Sequence, residues 1–241
     1  HARKQMNRCS FEAQCKGHAM VALNIYFGET HTGLPAARRA VEIAKETNDP
    51  DLLLHALNRL MVALHYKGAL NTLEGNEAFE LADDLVKTSG DLILKFHIRL
   101  NRAVWHLEVG ELSKAKRGFS TAEELVRGTN AHDAKAMLAL NLGELALVSR
   151  DFPEGMAAFR KAQSLISESS PHFFSTMATA GAGLCSLYSG DLADARARES
   201  ELPPAPDFWT FDPFLVTVFK ARMLLKRQDS RRAWDLLRTV R

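Results

Sequence analysis

Side-chain amides recur along this chain in one short context. Ala-Leu-Asn ends at residues 24, 58 and 141, and Arg-Leu-Asn ends at residue 101. An amide carries both a hydrogen-bond acceptor and donors, so it can pair with the N–H and C=O groups of an extended peptide without reading its side chains. We hypothesise that four asparagines form such a ladder: Asn24, Asn58, Asn101 and Asn141. Ordinary polar positions on helix surfaces explain the same pattern, and Asn58 and Asn24 fall out of register when counted back from the following turn.

Other side chains within about two helical turns of these asparagines could contact the same ligand. They are Arg59, His65, Arg102, Trp105 and Glu108. Each amide–peptide hydrogen bond contributes only about 0.5–1.5 kcal/mol net. A ligand of useful affinity would therefore also need the apolar and charged contacts that these residues offer.

Residue patterns that would support catalysis are missing from the sequence. It contains no G-x-x-x-x-G-K-[ST], G-x-S-x-G or H-E-x-x-H motif. Asp51 and His55 share a helix face at i, i+4, with His65 nearby, but two ligands from one hairpin fall short of the three or four that zinc requires. We therefore expect a non-enzymatic protein that binds no metal or cofactor.

Charge and cysteine content limit the partners and the cellular compartment that we expect for this chain. The 31 basic residues nearly balance the 29 acidic ones, leaving a net charge of +2, which gives no electrostatic signature for nucleic acid or an anionic membrane. Cys9, Cys15 and Cys185 form no C-x-x-C motif, which is typical of free thiols in a reducing cytoplasm. Because the chain begins at His1 rather than methionine, we expect it to be part of a longer polypeptide.

The elements that must position the asparagines are helices in a repeated unit. Apolar residues recur at spacings of three and four, and one alanine, leucine or valine anchor returns at intervals of 38, 40, 40, 40 and 38 residues. The anchors are Ala44, Ala82, Ala122, Ala162, Leu202 and Val240. We predict an all-α single domain of about six antiparallel helical hairpins, each a helix A, a turn and a helix B. Their bounds are roughly 5–48, 50–88, 90–129, 131–169, 171–204 and 212–241.

Characteristic turn residues are expected between helix A and helix B of these hairpins. Gly33, Gly68, Gly110 and Gly190 fall where the end of helix A needs a residue tolerant of positive φ. Pro35 and Pro153 fit just inside the following helix B, where a missing N–H is tolerated. Arg150 stands where the fourth unit should have its glycine, so that turn is expected to close differently.

One segment interrupts the pattern. Residues 201–214, "ELPPAPDFWTFDPF", combine four prolines with four aromatic side chains. We predict a long loop, whose rings either fill the groove between the fifth and sixth hairpins or form an exposed patch for a partner.

The units "GELSKAKRGFSTA", "RDFPEGMAAFRKA" and "GDLADARARESEL", with Gly143 and Gly183 as small helix-A residues, resemble the tetratricopeptide repeat (TPR) superfamily. The period of 38–40 residues, longer than the usual 34, is similar to the helical-repeat regions of large bacterial transcription activators such as the maltose-regulon activator. The resemblance implies a right-handed α-solenoid whose A helices line a concave groove.

It also implies a function. Such a groove would bind a peptide, a protein segment or a small effector, as the cytoplasmic sensor or interaction domain of a larger bacterial transcriptional regulator. Occupancy would pass to neighbouring ATP-binding or DNA-binding domains of the same polypeptide, without direct contact to nucleic acid or membrane. The alternative is a constitutive scaffold that holds proteins together without sensing.

Overall fold

A computed structural model describes residues 10–23, 30–167, 170, 172–202 and 213–238. Within these residues all regular structure is helical, as predicted. The twelve helices are α1 (Phe11–Ala22), α2 (Thr30–Thr47), α3 (Pro50–Tyr66), α4 (Leu73–Leu85), α5 (Leu92–Glu108), α6 (Leu112–Val126), α7 (His132–Val148), α8 (Phe152–Leu165), α9 (His172–Tyr188), α10 (Leu192–Glu201), α11 (Pro213–Lys226) and α12 (Ser230–Leu237).

The helices fall into two compact units, His1–Arg127 and Gly128–Arg241. In the first unit consecutive helices pack together from α1 to α6, and α3 also packs against both α1 and α5. In the second, consecutive helices pack from α7 to α10, α11 packs on α12, and α9 contacts both α7 and α11. Each unit thus brings alternate helices side by side. The single-domain organisation stays a prediction.

The repeated anchor positions supply the core. Three B helices each bury a phenylalanine and an alanine completely: Phe79 and Ala82, Phe119 and Ala122, Phe159 and Ala162. The Phe159 ring lies against Gly143 of α7 and Gly181 of α9, where any Cβ would come well within 3.0 Å of it. Small helix-A residues therefore admit large B-helix rings. The last unit departs from the pattern, because Leu237 is 39% exposed and Val240 lies outside the described residues.

The turns follow the glycine pattern with two corrections. Gly68, Gly110 and Gly190 have positive φ, as predicted. The prediction that the turn at Arg150 closes differently is wrong. Arg150 adopts φ 60° itself, and the next N–H, of Asp151, donates to the Ala146 carbonyl at 2.8 Å, the bond by which the glycine turns close. A left-handed residue is required there whatever its side chain, at a cost of about 1–2 kcal/mol.

Gly33 does not end a helix. It lies inside α2, which begins at Thr30 and contains Pro35 as its sixth residue. The expectation that Gly33 is a turn residue and that Pro35 opens the next helix is therefore wrong. The first turn of α2 forms ahead of the proline, which cannot donate the usual i→i−4 bond. Pro153, by contrast, lies in the first turn of α8 as predicted. The loop 201–214 lies largely outside the described residues.

Candidate ligand-binding site

Matching caps start α3 and α5 at equivalent points. The Asp49 carboxylate accepts the backbone N–H of residues 51 and 52, and the Asp91 carboxylate accepts those of residues 93 and 94, at 2.9–3.1 Å. Such caps satisfy N–H groups that have no partner in the first turn. Since α3 and α5 pack together in the first unit, the two caps help bring equivalent residues of the helices side by side.

The two asparagines of these helices meet. Asn101 Nδ2 donates to Asn58 Oδ1 at 2.8 Å, and Asn58 is only 5% exposed. The bond leaves the Asn58 Nδ2 amino group and the Asn101 Oδ1 acceptor with no bond to any other described residue. Two of the four asparagines of the sequence hypothesis are thus in direct contact, while the ladder itself stays a prediction.

A second contact lies two turns further along the same helices. His65 Nδ1 is 2.5 Å from Glu108 Oε1, although the ring N–H and the carboxylate are not aligned for a hydrogen bond. His65 follows Asn58 by seven residues, as Glu108 follows Asn101. The helices are therefore parallel and keep one register, with an offset of 43 residues.

We call this surface the α3–α5 seam. It comprises His55, Asn58, Arg59 and His65 of α3 with His97, Asn101 and Glu108 of α5. On α3, His55, Asn58 and His65 are three and seven residues apart, and on α5, His97, Asn101 and Glu108 are four and seven apart, which are spacings of residues on one helical face. Arg59 directly follows Asn58 and lies four residues after His55, at the edge of that face. Except for the exposed Glu108, they are buried or half-buried, so a ligand would meet them in a partly dehydrated setting.

Arg102 and Trp105 belong to a different contact. The Arg102 guanidinium carbon lies 4.7 Å from the centre of the Phe79 ring of α4 and 4.6 Å from that of Trp105. This double cation–π contact directs Arg102 toward α4 and gives its positive charge two favourable partners. Trp105 packs against the core, and its buried Nε1 has no hydrogen-bond partner among the described residues. Arg102 is thus committed to packing.

Arg59, the residue equivalent to Arg102, has no such partner. Its Nε is buried without a hydrogen bond, and no carboxylate among the described residues pairs with its guanidinium. Buried polar atoms are nearly always hydrogen-bonded, so an unpaired one calls for a reason.

The charge of Arg59 acts on two imidazoles of the seam, those of His55 and His97. Burial, and to a lesser extent the Arg59 charge, lower the pKa of His97 from 6.5 to about 4, while Asp91 opposes the shift. Burial, and then Arg59 and Lys16, also lower the pKa of His55. Both rings are therefore neutral near pH 7. Sequence reasoning missed His97, whose spacing of four before Asn101 is the signal that could have found it.

The hypothesis also named Asn141 and Asn24. Asn141 lies on α7 in the second unit, and its Nδ2 donates at 2.8 Å to the carbonyl of Met137 in its own helix. Its amide is thus already engaged locally. Asn24 lies outside the described residues.

The described residues contain no group of three or more His, Cys, Asp or Glu side chains able to hold a metal ion. Nor, in that part of the chain, is any helix long and apolar enough to cross a membrane.

Comparison with known proteins places the chain by its fold. No family model matches it, and no curated protein matches it in sequence. The structure is similar to the crystal structure of BtubC (BKLC) from P. vanneervenii, with a TM-score of 0.63 at 19% sequence identity over 88% of this chain and 82% of that one. At this identity the likeness extends to the fold alone, and the TPR resemblance stays a prediction. The chain thus shares an all-α fold with BtubC.

Proposed function

We propose that the protein is a non-enzymatic recognition module that binds an extended peptide or protein segment along the α3–α5 seam. The observation that carries the proposal is the Asn58–Asn101 hydrogen bond, which holds two amides side by side on neighbouring helices. The bond fixes both amides in place before any ligand arrives, which lowers the entropy that binding would otherwise cost.

The pair is complementary to a peptide unit. Asn58 Nδ2 can donate to a backbone carbonyl, and Asn101 Oδ1 can accept a backbone N–H. Neither bond depends on the peptide's side chains, so the pair supports affinity and direction but little sequence preference. Together two such bonds contribute about 1–3 kcal/mol, and the remaining affinity must come from the other side chains of the seam.

We place this seam in a wider architecture. The proposal is a TPR-like, right-handed α-solenoid in which the odd-numbered helices serve as A helices, within a cytoplasmic bacterial transcriptional regulator. The spacing of 38–40 residues supports it, as does the way in which α3 packs against both α1 and α5. Ligand occupancy would then be passed to neighbouring domains of the same polypeptide.

The test uses a pool of random peptides of about ten residues, acetylated and amidated so that the pool carries no terminal charge. Binding of the wild-type chain is compared with that of a variant combining Asn58→Ala and Asn101→Ala, which removes both partners of the bond together. We expect the double substitution to weaken binding roughly tenfold, or about 1.4 kcal/mol.

The matched control is Asn141→Ala, which removes an amide that bonds within its own helix in the other unit. It should leave binding unchanged. If the double variant loses helicity, Asn101→Ala alone replaces it, because Asn101 is only half-buried. Wild-type binding that survives loss of the Asn58–Asn101 pair would refute the proposal and favour a scaffold role for other surfaces.

A further inference from the structure

We infer that the α3–α5 seam contains an anion-binding subsite in which Arg59, His55 and His97 take up an oxyanion together with a proton. The inference rests on the proposed function, since it names the chemical class that a ligand of this seam carries: a carboxylate or phosphate group.

The register of the seam brings the three side chains together. His55 precedes Asn58 by three residues and His97 precedes Asn101 by four, so the hydrogen bond between the asparagines places both rings one turn away on adjoining faces. Arg59 directly follows Asn58. Its charge lowers the pKa of both imidazoles, as expected of a guanidinium close to each ring.

Unlike the neighbouring arginines of α5, Arg59 has neither a carboxylate nor an aromatic ring as a partner for its charge among the described residues. On α5, Arg99 Nη1 lies 2.5 Å from Asp83 Oδ1 and Arg102 stacks on two aromatic rings. Where Arg102 meets Phe79 and Trp105, the repeat gives Arg59 the equivalent residues Val41 and Val62, which have no π face.

The unpaired Nε specifies the ligand's chemistry. A buried donor left unpaired is destabilising, and a ligand acceptor would remove that penalty. The acceptor that suits a guanidinium best is a planar or tetrahedral oxyanion, which two of its N–H groups can bind at once.

The other charges that act on the imidazoles are compatible with a bound anion. Lys16 of α1 acts on His55 with the same sign as Arg59. Asp91 is the one carboxylate among the described residues that raises the pKa of His55 and His97, and one of its oxygens already accepts two backbone N–H groups at the start of α5. Both rings are neutral near pH 7 and can each donate one N–H.

Proton uptake follows from the same arrangement. A bound anion next to His97 favours the imidazolium, so it raises a pKa that is about 4 without it. By linkage, the anion binds more tightly as the pH falls from about 7 toward about 5. A subsite built only from Arg59 would show no such dependence, because an arginine side chain keeps its proton throughout this range.

The direct experiment observes the arginine Nε–Hε signals by NMR while sodium acetate or inorganic phosphate replaces sodium chloride at constant ionic strength. We expect a saturable shift at Arg59 with at least one of the two anions, tighter at about pH 5.5 than at about pH 7 by roughly threefold or more. The anion that binds more tightly shows whether the ligand's charged group is a carboxylate or a phosphate. The His97 imidazole signals should titrate at higher pH with the anion bound.

Arg59→Gln should abolish the response of the histidine signals, whereas Arg39→Gln, which removes an exposed arginine paired with Glu42 at 2.8 Å, should preserve it. Arg59→Lys keeps the charge but loses the planar fork, and should bind the anion more weakly than wild type. A linear shift shared by all arginine signals would be charge screening only and would overturn the inference, as would binding equal at both pH values.

Peptides separate this inference from the proposed function. Two peptide pools differ only in a central Asp or Asn, and the wild-type chain should prefer the Asp pool roughly tenfold, a preference that Arg59→Gln removes. Peptide binding that depends on Asn58 but shows no Asp preference and no anion shift would overturn the subsite alone. A saturable anion shift without peptide binding would leave the subsite standing and refute the proposed function.

Discussion

The half-buried imidazole of His97 gives the first unit a stability that depends on pH. Its pKa is about 4 in the folded chain, against 6.5 for an ordinary histidine, chiefly because burial disfavours the charged ring. When the chain unfolds, the ring regains water and its ordinary pKa. Between these two values the unfolded state therefore binds the proton and the folded state does not.

The direction of the change in stability with pH follows directly. The contribution of His97 is fully present above about pH 6.5 and is lost as the pH falls toward about 4. Since each pH unit in this window is worth about 1.4 kcal/mol, lowering the pH from about 7 to about 5 removes about 2 kcal/mol of stability. That is a large part of the 5–15 kcal/mol typical of a domain.

The assay is urea unfolding at several pH values for the wild-type chain and for His97→Gln, which cannot take up the proton. Trp105, on the same helix and in contact with the core, reports the loss of packing by fluorescence. Other acidic groups also titrate, so the informative quantity is the difference between the two curves. His132→Gln, which removes an exposed imidazole, serves as the reference for loss of any histidine.

We expect the stability of His97→Gln to fall less than that of the wild type by about 2 kcal/mol over this range. Parallel pH profiles for the wild type and His97→Gln would refute the reasoning, because they would mean that His97 is as well hydrated in the folded chain as in the unfolded one.

Three further outcomes can be checked. Gly181→Ala should cost about 1–3 kcal/mol of stability in thermal unfolding, because the added methyl overlaps the fully buried Phe159 ring; an unchanged midpoint would mean that the ring can move aside. Cys185, whose pKa burial raises to about 11, should react with iodoacetamide at about pH 8 at least a hundredfold more slowly in the folded chain than in urea. Leucines in place of both Asn58 and Asn101 should leave thermal stability equal or higher, since two bonded polar groups give way to apolar ones of similar shape, while weakening peptide binding by roughly tenfold or more; loss of the folded state would instead assign the pair a structural role.

The repeat predicted much of the core because packing imposes it locally. A B helix that must approach its neighbours closely needs small residues at fixed spacing with one large ring between them, and that requirement is visible in the sequence around Phe119 and Phe159. The same reasoning failed at Arg150 and Gly33. Whether a turn tolerates a side chain at positive φ, or a helix starts ahead of its proline, depends on energies of a few kcal/mol that other contacts can offset.

The candidate site was harder to predict, because its geometry depends on the register between two helices that are far apart in sequence. The recurring context identified Asn58 and Asn101, but counting back from the turns put them one position out of line. Their direct hydrogen bond shows that the two amides are nevertheless adjacent. Counting within one helix also could not reveal that the charge of Arg59 on α3 lowers the pKa of half-buried His97 on α5, since that effect depends on the packing of α3 on α5.

The repeated Leu-Asn-Arg triplet shows why the same residues can have different roles. Both leucines, Leu57 and Leu100, are buried in the core, and the two asparagines bond to each other. The arginines diverge, because Arg102 finds aromatic rings and Arg59 does not. Packing explains the leucines and Arg102, and it can explain the asparagines as a link between helices. It offers no stabilising partner for a half-buried guanidinium beside two neutral imidazoles, and Arg59 is therefore the residue of the seam for which a ligand supplies the most direct physical reason.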